Sequence, residues 1–126
     1  MSRTVFSAPS AAAIGPYSHA CAGGGLVFLS GQTPLEPATG QLVEGGIAEQ
    51  TRQCFRNLLA ALEAAGLGAE DVVNVQVFLT DMADFDAMNA AYRTQLTEPF
   101  PARTTIGVAS LPRGARVEIS MVAKAR

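Results

Sequence analysis

The stretch Val72-Val73-Asn74-Val75-Gln76-Val77-Phe78-Leu79 decides the fold. Its apolar period is two: Val73, Val75, Val77 and Leu79 share one side, and Asn74 and Gln76 look the other way, as in a half-buried strand. A strand with one apolar face needs a partner layer. Immediately upstream, Ile47, Thr51, Cys54, Phe55, Leu58, Leu59 and Leu62 recur at helical spacing from Ile47 to Ala65, and Gly66 and Gly68 supply a stop. Immediately downstream, Asp81 and Asp84 flank the start of a second helical pattern, Phe85, Met88, Asn89, Tyr92 and Leu96, which Pro99 and Pro101 end. Helix, strand and helix therefore follow one another at the centre of the chain.

Further strands flank this centre. Gly23-Gly24-Gly25 reads as a tight turn joining Tyr17-Ser18-His19-Ala20-Cys21 to Leu26-Val27-Phe28-Leu29, whose continuous apolar run suits a buried strand. Pro34, Pro37 and Gly40 mark an irregular loop, closed by Gly45-Gly46. The last third gives a strand from Arg103 to Val108, a seven-residue link from Ala109 to Ala115, and a strand from Val117 to Ala123. In that strand Val117, Ile119 and Met121 alternate with Glu118 and Ser120. One sheet with two helices on one face, an α+β arrangement, buries these stripes. The opposite face keeps apolar residues around Leu26 to Leu29, so it is expected to meet another subunit.

Composition narrows the function. At 126 residues the chain is expected to form one domain spanning 1–126. A net charge of -2 with no Lys/Arg cluster argues against a groove that tracks phosphates, so no nucleic-acid partner is expected. No segment has the length and apolarity of a membrane span, and Met1 to Phe6 lacks a signal-peptide core, which points to a cytoplasmic protein. Cys21 and Cys54 are too isolated for a zinc site and read as reduced, buried thiols. The chain has no Gly-x-Ser-x-Gly, phosphate-binding loop, HExxH or dinucleotide fingerprint, so the chemistries those motifs carry have no signal here.

Few groups remain that carry chemistry. Arg103 follows Phe100-Pro101-Ala102 and opens a strand with little other charge nearby. Its planar fork matches both oxygens of a carboxylate. Glu118 also sits within an apolar strand, where a charge needs a partner. The alternatives for both are a structural ion pair or simple exposure. Tyr17, after Gly15-Pro16, is a rigidly presented phenol or a surface-turn residue, and His19, the one histidine, has no acid placed to make a triad.

Gly15-Pro16-Tyr17-Ser18, Ser30-Gly31-Gln32-Thr33-Pro34, Val77-Phe78-Leu79-Thr80-Asp81-Met82, Asn89-x-x-Tyr92, Phe100-Pro101-Ala102-Arg103 and Val117-Glu118-Ile119 together resemble the reactive intermediate/imine deaminase family (RidA, YjgF-like). The likeness runs in order from about Ile14 to the C-terminus. It implies a chorismate-mutase-like mixed β-sheet with two helices on one face, assembled as a homotrimer with ligand clefts between subunits. It also implies that the last strand inserts between earlier ones, making Ala109 to Ala115 a crossover.

The implied activity is that of a 2-iminobutanoate/2-iminopropanoate deaminase, a hydrolase converting reactive 2-imino or enamine acids, such as 2-aminoacrylate and 2-iminobutyrate, to 2-keto acids and ammonia. Carried onto this chain, the resemblance implies that Arg103 binds the substrate carboxylate, Glu118 polarises the attacking water and Tyr17 helps place it. It also implies that Ser30, Gly31, Thr105 and Asn89 line the substrate site. An imine carbon is already electrophilic, so positioning and one oriented water suffice without cofactor. Many members carry cysteine where this chain has Thr105, so a thiol-based switch does not carry over. The competing readings are a trimeric keto-acid binding or regulatory protein without turnover, an aminomuconate-type deaminase, and a ribonuclease, which the acidic charge disfavours.

Overall fold

A computed structural model describes residues 3–9 and 15–126. The elements are β1 (Thr4–Phe6), β2 (Ala20–Gly23), β3 (Leu26–Gln32), α1 (Ile47–Ala64), β4 (Val72–Leu79), α2 (Phe85–Arg93), β5 (Ala102–Gly107) and β6 (Val117–Lys124). The strands form one mixed sheet in the order β1-β2-β3-β6-β4-β5. Only β4 and β5 run parallel; the other neighbours are antiparallel. Because β6 lies between β3 and β4, residues 109–115 cross over β4, as the resemblance implied. No described helix is long and apolar enough to cross a membrane.

Both helices cover the sheet face bearing Val75, Val77, Val117 and Ile119, all fully buried with Phe55, Leu58 and Leu62 of α1 and Met88 of α2. Burying such side chains contributes about 1.5–3 kcal/mol each relative to exposure. Helix α1 ends as its glycines suggest. Gly66 adopts φ 75°, its N–H donates to the Glu63 carbonyl, and the Leu67 N–H donates to Leu62, each at 2.9 Å. This is a Schellman cap, and the left-handed turn explains the glycine.

Periodicity alone passes over three buried polar residues of α1, Gln50, Gln53 and Asn57. Asn57 Nδ2 donates to the carbonyls of Thr33 (3.3 Å) and Leu35 (3.0 Å), while its Oδ1 accepts from Gln53 Nε2 (3.0 Å). Gln50 Oε1 accepts the Arg116 N–H at 2.9 Å. The irregular loop after β3 and the entry to β6 thus find their backbone partners on the helix, as buried backbone requires.

Several boundaries differ from the sequence reading. β1 was not anticipated; three residues with no alternation of their own are held by pairing Val5 with Cys21. β2 begins at Ala20, leaving Tyr17, Ser18 and His19 outside the strand, and Cys21 is only half-buried, while Cys54 is buried as expected. The Leu26 to Leu29 run is buried on one side only: Val27 and Leu29 enter the core, but Phe28 is 51% exposed. In β4 the pairing shifts between Val72 and Asn74, so a bulge reverses the phase; Val72 is buried and Val73 exposed. α2 stops at Arg93, well before the prolines, with Leu96 buried beyond its end. Thr94 turns back there, its hydroxyl donating to the Ala91 carbonyl at 2.7 Å.

Gly24 and Gly25, at φ 62° and 80°, form the two-residue turn between β2 and β3. The face away from the helices carries Phe28 together with Ile106, 46% exposed, and remains open.

Candidate active site

Strand β5 presents Arg103 opposite Val75 of β4. Paired residues of parallel strands share a face, so Arg103 lies on the helix side, beneath α2. Its Cζ stands 4.7 Å from the Tyr92 ring centroid and 5.7 Å from that of Phe85. Stacking on these faces holds the guanidinium by cation–π attraction and leaves its hydrogen-bonding edge unused. None of the ion pairs among the described residues engages Arg103. The structural ion-pair alternative therefore lacks a partner.

Around Arg103 is a pocket of about 320 Å3 lined by Asn89, Tyr92, Arg93, Phe100, Pro101 and Arg103. Asn89 Oδ1, the Tyr92 hydroxyl and Thr105 Oγ1 are buried without a hydrogen-bond partner. Burial pushes the Tyr92 phenol above its ordinary range, an effect that the Arg103 charge partly offsets. Unpaired buried polar atoms are costly, and such a group invites a ligand or water.

Glu118 occupies a different place. On β6 it pairs with Phe78 and alternates with the buried Val117 and Ile119, so it faces the open side of the sheet. The β3–β6 register runs Leu29 to Met121 and then Gln32 to Ile119, three steps against two, which places an extra residue at Ser30–Gly31. The bulge brings Gly31 against Glu118 so closely that a Cβ on Gly31 would collide with carboxylate Oε2. Glycine is the residue that fits. No described cation pairs with Glu118, and burial raises its carboxyl pKa above the ordinary glutamate value.

Ser30 ties the neighbouring bend in place. Its Oγ donates to the Ser18 carbonyl at 2.6 Å and its N–H donates to the His19 carbonyl at 3.0 Å. Tyr17, half-turned to solvent, has its N–H bonded to the Gly15 carbonyl and its ring edge-on to His19 at 6.5 Å. His19 itself is buried, with Nδ1 accepting the Ala8 N–H at 2.9 Å, which puts the proton of the neutral ring on Nε2. Its bond is to the N-terminal backbone, a structural tie. Tyr17, Ser30, Gly31, Thr33, Pro112 and Glu118 line a second pocket of about 400 Å3.

The candidate residues thus divide. Arg103, Asn89 and Thr105 gather on the helix side, and Tyr17, Ser30, Gly31 and Glu118 on the open side. The sequence reading did not single out Phe85 as a stacking partner, nor Thr33, Pro112 and Arg93 as lining residues. Tyr92 did stand out, but as part of a helical stripe, a pattern that also describes plain core. Among the described residues no cluster of three or more His, Cys, Asp or Glu side chains is arranged to hold a metal.

This fold, with a pocket on each side of its sheet, defines a class of protein. Residues 7–125 match the family described as Endoribonuclease L-PSP, and the chain belongs to that family, the YjgF/RidA family. The chain is 46% identical to the mouse 2-iminobutanoate/2-iminopropanoate deaminase over 96% of its own length and 90% of that protein. Among solved structures it resembles RidA from an Antarctic Psychrobacter, with a TM-score of 0.91 and 41% identity over 96% of this chain and 98% of the other. It also resembles Escherichia coli TdcF solved with bound serine, with a TM-score of 0.89 and 34% identity over 98% and 99%.

Proposed function

We propose that this protein is a hydrolase that deaminates small 2-imino acids to 2-keto acids and ammonia, with each active site shared by two chains of a homotrimer. The single observation carrying this reading is that Arg103 is stacked, unpaired and open to a pocket. Its edge accepts the substrate carboxylate through two charge-assisted hydrogen bonds, each contributing about 1.5–3 kcal/mol. The relatives named as imine deaminases, and the amino acid bound to TdcF, are consistent with a small carboxylate ligand.

Arg103 and Glu118 face opposite sides of one sheet, so they meet the same ligand only when a second chain is apposed. The open face, with Phe28 and Ile106 exposed, is the surface that such apposition covers. At the joined site Glu118 accepts a hydrogen bond from water and turns its lone pair to the imine carbon, while Tyr17 helps hold the water. Water adds across C=N, the carbinolamine loses ammonia, and the 2-keto acid forms. A carboxylate with a raised pKa is a better proton acceptor than an exposed one. Ser30 and Gly31 wall the cleft, and Asn89 and Thr105 supply polar contacts beside Arg103.

The family's ribonuclease description is not favoured for this chain, whose net charge of -2 leaves no stripe to neutralise phosphates. The test is a coupled assay in which a dehydratase releases 2-aminoacrylate or 2-iminobutyrate from serine or threonine and imine loss is followed. Acceleration by the protein that vanishes in Arg103→Ala, with oligomer size unchanged, supports the hydrolase. Tight pyruvate or 2-oxobutyrate binding without acceleration supports a sensor instead.

A further inference from the structure

The pocket beside Arg103 holds a second guanidinium that hydrolysis of a simple imino acid leaves idle. Arg93 is the last residue of α2, and its side chain lines the same 320 Å3 space. Three arginines elsewhere find acids: Arg52 pairs with Glu49, Arg116 with Asp84, and Arg126 with Glu70 and Asp71, while Arg56 bonds the neutral Gln53. Among the described residues neither Arg93 nor Arg103 pairs with an acid. A helix C-terminus favours a cation, which accounts for an arginine at position 93 but not for two uncompensated guanidinia on one pocket.

Arg93 is exposed and Arg103 half-buried, and a single carboxylate neutralises only one of them. A second anionic group on the same ligand would neutralise both. The rest of the lining combines Phe100, Pro101 and Tyr92 with Asn89, whose Oδ1 lacks a partner. That surface suits a short carbon chain with polar ends.

We infer that the preferred substrates are 2-imino acids bearing a second carboxylate, with the C1 carboxylate on Arg103 and the distal one on Arg93; this rests on the imine-hydrolase reading. The reaction is unchanged: one water adds to C=N, ammonia leaves, and a 2-keto dicarboxylate is released. Oxidation of acidic amino acids at Cα is the class of reaction that supplies such imines.

The experiment has two arms. First, calorimetry at fixed ionic strength compares 2-oxoglutarate and oxaloacetate with 2-oxobutyrate and pyruvate. The wild-type protein binds the dicarboxylates about threefold to tenfold more tightly. Arg93→Met brings that ratio to about one, Arg93→Lys keeps part of it, and Arg52→Met, the same charge change on α1, leaves it in place. Second, imines made from aspartate, glutamate or alanine by amino-acid oxidases are followed with the protein present, and their rates show the same ordering. Equal affinity for both classes, or a ratio that survives Arg93→Met, overturns the inference while alanine-derived imine hydrolysis still stands. Failure to bind any keto acid or to accelerate any imine overturns both readings together.

Discussion

Replacing Gly31 with alanine tests the geometry around Glu118 without touching a charged group. A Cβ at Gly31 would collide with Oε2 of Glu118 and would lie 3.0 Å from Cδ and 3.3 Å from Cγ, against ordinary contact at 3.4 Å or more. The Cδ atom must therefore retreat by at least 0.4 Å (3.4 − 3.0), and the oxygen by more. Misplacing a reacting group by ~1 Å costs on the order of 10²-fold, so kcat in the dehydratase-coupled assay should fall about 10- to 100-fold. Stability should not fall with it, because the displaced group is the mobile end of a side chain beside a 400 Å3 pocket and the backbone at position 31 does not require glycine. Thermal melting and size-exclusion chromatography report that half of the prediction. The Gly31→Ala/Glu118→Gln double variant should be no slower than Glu118→Gln alone, since both changes act through one carboxylate. Full activity in folded, assembled Gly31→Ala, or additive losses in the double variant, would refute the reasoning.

Three further outcomes follow from the same geometry. Arg103→Lys keeps the charge but loses the fork, so 2-oxobutyrate affinity measured by calorimetry should drop about tenfold, and Arg103→Ala about 100-fold or more. Because burial raises the Glu118 pKa, kcat/KM should decline on acidification with a midpoint above the ordinary 4.5. The protonated form's stability advantage is present at low pH and lost as pH rises through the folded pKa. Glu118→Gln should therefore melt higher than wild type at pH 7, by a margin that shrinks toward acid, while kcat falls about 10²- to 10⁴-fold. Asn57→Ala strips two loop carbonyls of their donor, so urea unfolding should show a loss of about 2–4 kcal/mol.

The fold was largely legible because its core follows regular periods. Helix α1 ended within a residue of its expected limit, since Gly66 marks both the pattern's end and the left-handed turn that closes it. What escaped were features lacking a local signal. The bulge at Val72 to Asn74 inverted the expected side of Val73, because register depends on β6, far along the chain. β1 exists only through its pairing with β2. Of the candidate site, Arg103 and Glu118 stood out as charges within apolar strands and Tyr17 as a phenol after Gly15-Pro16, and the motif likeness supplied Ser30, Gly31, Thr105 and Asn89. Their division between two faces was hidden, since strand alternation states which neighbours oppose one another and not which face a helix will cover. Arg93 gave no signal, because an arginine in the last turn of a helix is ordinary.

Mixing two inactive chains tests most directly whether the site is shared. Arg103→Ala and Glu118→Gln proteins, unfolded together in equal amounts and refolded, form mixed oligomers in which about one site in four (1/2 × 1/2) joins an intact arginine to an intact glutamate across an interface. The account predicts recovery of about a quarter of wild-type imine hydrolysis. Mixed oligomers with no activity above that of the two parents would place both residues' work within one chain and contradict it.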